Sequence, residues 1–124
     1  MPVPILAQAP YLIASVQAAL TDADLIGLQD GLLREAQRRR CHGVIVDVTA
    51  LDVMDSFSTR TLQTLAAILR LRGVETVIAG IQPDVAMAMV RLGLTMPDVR
   101  TALDLDEGLA YLQAKQQGSA GRGQ

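Results

Sequence analysis

Apolar residues along the chain fall into short unbroken runs and longer stretches where they recur every third or fourth position. The first pattern predicts strands and the second amphipathic helices. "PVPILAQ" and "YLIASVQ" are two apolar runs separated by Ala9-Pro10, which predicts two strands joined by a tight turn. Pro2 and Pro4 cannot donate to a ladder, so the first strand belongs at a sheet edge. "TDADLIGLQDGLLREAQRRR" then sets Leu25, Leu28, Leu32 and Ala36 on one helical stripe, flanked by Ile26 and Leu33. Thr21 and Asp24 have capping-box spacing, and Arg38, Arg39 and Arg40 suit the negative end of the helix dipole. Gly27 and Gly31 weaken the helix interior, where the close approach of a neighbouring backbone is expected.

"GVIVDVT" is continuous and β-branched, as a strand buried on both faces should be. "FSTRTLQTLAAILRLRG" is helical through Leu62, Leu65, Ile68 and Leu69, with Gly73 as its stop. "VETVIAG" reads as a strand, and "QPDVAMAMVRLG" as a short helix with Pro83 near its first turn and Gly93 after it. "MPDVRTA" holds a last short strand. "LDEGLAYLQAK", with Asp104 and Glu107 at capping-box spacing, is a final helix. The order β-β-α-β-α-β-α-β-α gives an α/β domain with a mixed, mostly parallel sheet of four to five strands and about four helices. The single domain is expected over residues 1–115, and the polar, Gly-rich segment 116–124 is expected to be a disordered tail.

Composition narrows the function classes. The chain of 124 residues is half apolar, has no Trp and one Phe, and carries a net charge of −2. Neither aromatic platforms nor a basic face is available for nucleic acid, and no apolar run reaches the roughly 18 residues of a membrane span. The N-terminus lacks the basic region of a signal peptide, and the single Cys41 rules out an internal disulfide, so a cytoplasmic setting is expected. His42 is the only histidine and adjoins Cys41, a poor arrangement for a shared site. No glycine-rich phosphate loop or nucleophile-elbow motif occurs, so no catalytic residue, metal or cofactor is expected. Asp47 reads as a polar residue where a strand leaves the core, and Met87 and Met89 as core filling.

One junction stands out. "LDVMDSFSTRTL", residues 51–62, places Asp52, Asp55, Ser56, Ser58, Thr59 and Thr61 between a strand and a helix. Asp55 or Ser56 would cap the helix, which accounts for one polar residue and not for six. A serine at an exposed helix start also suits a kinase, because the free N–H groups and the dipole stabilise an added phosphate. With Asp52 and Asp55 close by, phosphorylation would make the surface strongly negative and repel a partner docked there.

"VIVDVTALDVMDSF", "TVIAGIQPDVAMAMVRLGL" and "TALDLDEGLAYL" resemble the STAS-domain anti-sigma factor antagonist family, over roughly residues 3 to 115. Within that family the chain is most similar to the small stressosome scaffold type, RsbS. A start directly at the first strand favours that type over RsbR-type paralogues, which carry an added N-terminal domain. The resemblance implies the STAS fold and a non-enzymatic scaffold that sequesters an RsbT-type serine/threonine kinase and releases it when Ser56 is phosphorylated. A PP2C-like phosphatase would reset the serine. RsbR-type STAS paralogues and further copies of the chain, as a dimer or a larger assembly, are the implied assembly partners. Asp52, Asp55, Ser56, Phe57 and Arg60 form the expected partner-binding surface, and Thr59 is a second candidate acceptor. Two other readings stand beside this one: a soluble antagonist binding a single anti-sigma kinase, and a small nucleotide-binding α/β domain using Asp47 or Asp52.

Overall fold

In the computed structural model, residues 3–97 and 99–122 are described, with side chains through residue 118. Strands β1 (Ile5–Gln8), β2 (Tyr11–Ser15), β3 (Gly43–Asp47), β4 (Glu75–Ala79) and β5 (Arg100–Ala102) lie side by side in chain order. β1 is antiparallel to β2, and the other neighbours are parallel. Helices α1 (Asp22–Arg39), α2 (Ser56–Leu71), α3 (Pro83–Arg91) and α4 (Leu105–Arg122) fill the intervals. This is the mixed, mostly parallel α/β architecture that the hydrophobic pattern predicts.

β1 takes the edge, and Pro4 serves there only as an acceptor, its carbonyl receiving the Ser15 N–H at 3.4 Å. Pro2 lies outside the described residues. Alternation along β3 explains its unbroken apolar run. Val44 and Val46, with Leu12, Ala14 and Ile78, pack against the stripes of α1 and α2. Ile45, with Ile13, Val77 and Ala79, faces the opposite side, where Leu112 of α4 covers it. On α2, Leu62, Leu65, Ala66 and Leu69 are buried. Each buried leucine contributes about 1.5–3 kcal/mol, which is why this stripe fixes the helix on the sheet.

Three local expectations are corrected. Helix α4 continues past residue 115, through Arg122, into the segment expected as a disordered tail. The Tyr11 hydroxyl donates to Gln116 Oε1 at 2.7 Å and ties that segment to β2; residues 123 and 124 lie outside the described residues. Met89 is buried, whereas Met87 is 51% exposed, because two residues on a helix differ by about 200° in direction. Gly31 makes room for a side chain and not a backbone: a Cβ there would lie 3.2 Å from Ile5 Cδ1, and Gly27 faces open space.

The parallel topology has a consequence for charge. Each helix starts after β2, β3, β4 or β5 ends, so all four N-termini lie on the side of the sheet where the parallel strands end. First-turn acids Asp22, Asp24, Asp84, Asp106 and Glu107 therefore collect there, with Asp52 and Asp55 in the β3–α2 loop. Arg38, Arg39, Arg70 and Arg91 occupy last turns on the side where the parallel strands begin, Arg38 and Arg39 paired there with Glu35.

Candidate functional site

The junction of β3 and α2 is built by short-range polar chemistry. Asp47 ends its strand by turning back on its own chain: Oδ1 accepts from the Thr49 N–H at 3.0 Å and from the Thr49 hydroxyl at 2.6 Å. The Val48 N–H donates to the Ala79 carbonyl at 2.9 Å, and Gln82 Nε2 donates to the Thr49 carbonyl at 2.7 Å. Gly80, at φ +82°, permits this approach, since a Cβ there would lie 2.0 Å from Thr49 Oγ1. The two segments "VIVDVT" and "GIQP" thus meet in space and hold one another.

Asp55, and not Ser56, is the N-cap of α2. Its backbone is extended, and its Oδ1 accepts from the Ser58 N–H at 2.7 Å. That hydrogen bond stabilises the carboxylate and holds the Asp55 carboxyl below its usual pKa. Ser56 is the first residue of the helix and is exposed. Because Asp55 does the capping, the Ser56 hydroxyl is left outside the cap. Asp52 and Arg60 are exposed, and Phe57 is 39% exposed. The five residues expected at a partner surface therefore all reach solvent around one helix start.

Thr59 does not share that surface. It is fully buried, and its hydroxyl has no hydrogen-bond partner. As a second acceptor it is ruled out on the folded domain, because an enzyme cannot reach a side chain with no exposed area. The helical phase carries the signal: Thr59 lies three residues before Leu62, on the buried stripe. Thr61 donates back to the Phe57 carbonyl at 2.8 Å, a local helix bond.

An apolar cleft of about 70 Å³ opens beside this junction, floored by Leu20, Leu25, Val48, Leu51 and Met54 and edged by Asp55 and Ser58. Val53 at its margin is 67% exposed. Sequence reasoning did not find this cleft, because Leu20 and Leu25 precede Met54 by half the sheet. A larger concavity of about 1060 Å³ lies where the parallel strands begin, among His42, Glu75, Arg100, Tyr111, Lys115 and Gln116. Its charges answer one another: Lys115 pairs with Glu75, and the Arg100 guanidinium sits 4.3 Å over the Tyr111 ring. The smaller cleft is the one that adjoins the exposed Ser56 hydroxyl and the capping carboxylate of Asp55.

Cys41 is buried, and burial pushes its thiol pKa up, while the adjoining His42 is exposed just before β3. The two face different environments and form no joint site. Among the described residues, no three His, Cys, Asp or Glu side chains gather as a metal set, and no helix is long and apolar enough to cross a membrane.

Comparison with known proteins extends this picture. The RsbT co-antagonist protein RsbRA of Bacillus subtilis is 28% identical over 82 residues, which is 66% of this chain and 30% of that protein. The chain thus spans under a third of the length of that relative. A serine-to-glutamate variant of RsbS from Moorella thermoacetica superposes with a TM-score of 0.81 and 31% identity, covering 93% of this chain and 97% of that one. A chain from the molecular architecture of the stressosome, a signal integration and transduction hub, gives 0.76 and 32%, covering 91% and 98%. The STAS domain model matches residues 4–108, across every strand and the start of α4, and the chain belongs to the STAS domain family.

Proposed function

We propose that this STAS domain is a non-enzymatic scaffold of the stressosome type, which holds an RsbT-type serine/threonine kinase at the α2 start and releases it on phosphorylation of Ser56. The observation that carries this reading is the division of labour between neighbours. Asp55 caps the helix, so the exposed Ser56 hydroxyl is free to be modified without dismantling the fold. A phosphate on the first helical residue gains from the free N–H groups while adding nearly two negative charges beside Asp52 and Asp55. A partner seated on Phe57 and Arg60 is then repelled by local electrostatics alone. The likeness to a serine-to-glutamate RsbS variant supports the reading, since that substitution also places negative charge where a hydroxyl stood.

The assembly partners in this reading are RsbR-type STAS paralogues together with further copies of the chain, in the cytoplasm, and a PP2C-like phosphatase removes the phosphate. The test is direct binding of a purified RsbT-type kinase, with phosphosite mass spectrometry after incubation with ATP. Ser56→Ala should keep kinase binding and lose the label, and Ser56→Asp should lose binding with the fold intact. Wild-type affinity in Ser56→Asp, or label on another residue, overturns the mechanism. A complex limited to one chain and one kinase, with no larger assembly, would favour the soluble-antagonist reading.

A further inference from the structure

Helix α2 carries only two charged side chains, Arg60 and Arg70. Arg70 stands in the last turn, where the negative end of the dipole favours a cation. Arg60 stands in the second turn, where the dipole gives a cation no help. Its neighbours supply nothing in place of the dipole: Arg60 is exposed and makes no hydrogen bond or ion pair among the described residues. On the helix surface, three and four positions away, lie Ser56, Phe57, Gln63 and Thr64, none of them an acid. An acid pairs best with an arginine from four positions earlier, because side chains on a helix lean towards its N-terminus. That position is Ser56, so an arginine suited to an acidic neighbour meets a hydroxyl.

We infer that Arg60 is the intrachain partner of the Ser56 phosphate: once the hydroxyl is esterified, the Arg60 guanidinium folds back over one turn and binds the phosphate oxygens. This rests on the reading of Ser56 as the acceptor and adds to it the fate of the modified site. The Cβ atoms of such a pair are about 5–6 Å apart, within an arginine's reach. The planar guanidinium can take two phosphate oxygens at once. Asp52 and Asp55 in the β3–α2 loop act the other way, as do Asp22, Asp24 and Asp84 at neighbouring helix starts, since each has the same sign of charge as the phosphate. Arg60 is the cation nearest to Ser56 along the chain. Phosphorylation then changes the partner surface twice. It adds nearly two negative charges at Ser56, and it draws away the one cation among Asp52, Asp55, Ser56, Phe57 and Arg60. No rearrangement is needed beyond one exposed side chain.

Phosphorus NMR of the full chain, with phosphoserine installed at position 56 during synthesis, tests the pairing without any kinase. The second pKa of a phosphoserine is ordinarily about 6. A bound cation favours the dianion, so Arg60→Gln should raise that pKa by about half a unit, or roughly threefold in proton affinity. Arg60→Lys should recover part of the difference through charge alone, since it lacks the planar fork. Arg72→Gln is the control: it removes the same charge roughly 24 Å away along the helix, beyond the Debye length of about 8 Å at 0.15 M salt, and should leave the pKa unchanged. Both arginines are exposed, so thermal unfolding of each unphosphorylated variant should match wild type. Equal pKa values in wild type and Arg60→Gln, or an equal rise in Arg72→Gln, overturns the inference. Failure of a kinase to label Ser56 would sink the kinase reading and leave this measurement standing. Equal pKa values on a chain that the kinase does label would sink the pairing alone.

Discussion

The side-chain amide of Gln82 donates to the backbone carbonyl of Thr49 at 2.7 Å, joining the loop after β4 to the loop that delivers Ser56. The bond spans 33 residues in sequence, and it closes the arrangement begun by Asp47 with Thr49 and by Val48 with Ala79. The start of that loop is thus held from two strands rather than one.

Gln82→Leu keeps a side chain of similar bulk but removes the donor. One hydrogen bond of this kind is worth about 0.5–1.5 kcal/mol, so a loss of stability in that range is expected from chemical denaturation. Hydrogen exchange should quicken at the amides of residues 48–55, while the interior of α1 stays unchanged. Equal exchange throughout would show that the bond does not brace the loop.

Gly80→Ala should be more damaging. Its backbone sits at φ +82°, costly for any L side chain, and the new Cβ would meet Thr49 Oγ1 at 2.0 Å. The expected loss is about 2–4 kcal/mol, with disturbance centred on Thr49 and Asp47. Gly73→Ala offers the contrast, since its φ of +79° carries the backbone cost but open space surrounds it. Thermal unfolding should therefore order the variants wild type, Gly73→Ala, Gly80→Ala.

Most of this fold is legible in sequence because short-range chemistry decides it. Thr21 and Asp24 do form the reciprocal capping box, at 3.1 and 3.2 Å, and Pro83 opens α3 as its fixed φ suggests. The buried-on-both-faces reading of "GVIV" also holds. What stays hidden depends on partners distant in sequence. Tyr11 and Gln116 are 105 residues apart, so nothing local shows that α4 continues. The Gln82–Thr49 bond and the cleft between α1 and α2 are likewise products of topology. Thr59 differs, since its place on the Leu62–Leu69 stripe was readable and its hydroxyl obscured the periodicity.

The cap should also make stability depend on pH. The Asp55 carboxyl is held below its usual value by the Ser58 N–H, so the unfolded chain binds that proton more readily than the folded one. The cap's contribution is therefore complete above the unfolded value of about 3.9 and drains away as pH falls through the lower folded value. Asp55→Ala should cost about 1 kcal/mol at pH 7, in keeping with other N-cap deletions. The gap between variant and wild type should narrow as pH is lowered below about 4. A constant gap down to pH 2 would mean that the carboxylate charge is not what caps the helix.

Thr59→Val gives the clearest separation between the two hydroxyls of this helix start. The Thr59 hydroxyl is buried without a hydrogen-bond partner, and leaving such a group unsatisfied costs about 1–3 kcal/mol. Valine fills nearly the same volume and keeps the branching at Cβ, so the variant should be about 1 kcal/mol more stable than wild type by denaturant unfolding. Phosphorylation should be unchanged in Thr59→Val and absent in Ser56→Ala. Destabilisation by valine would mean that the hydroxyl has a partner when folded, and loss of label in Thr59→Val with full label in Ser56→Ala would return the acceptor role to the buried residue.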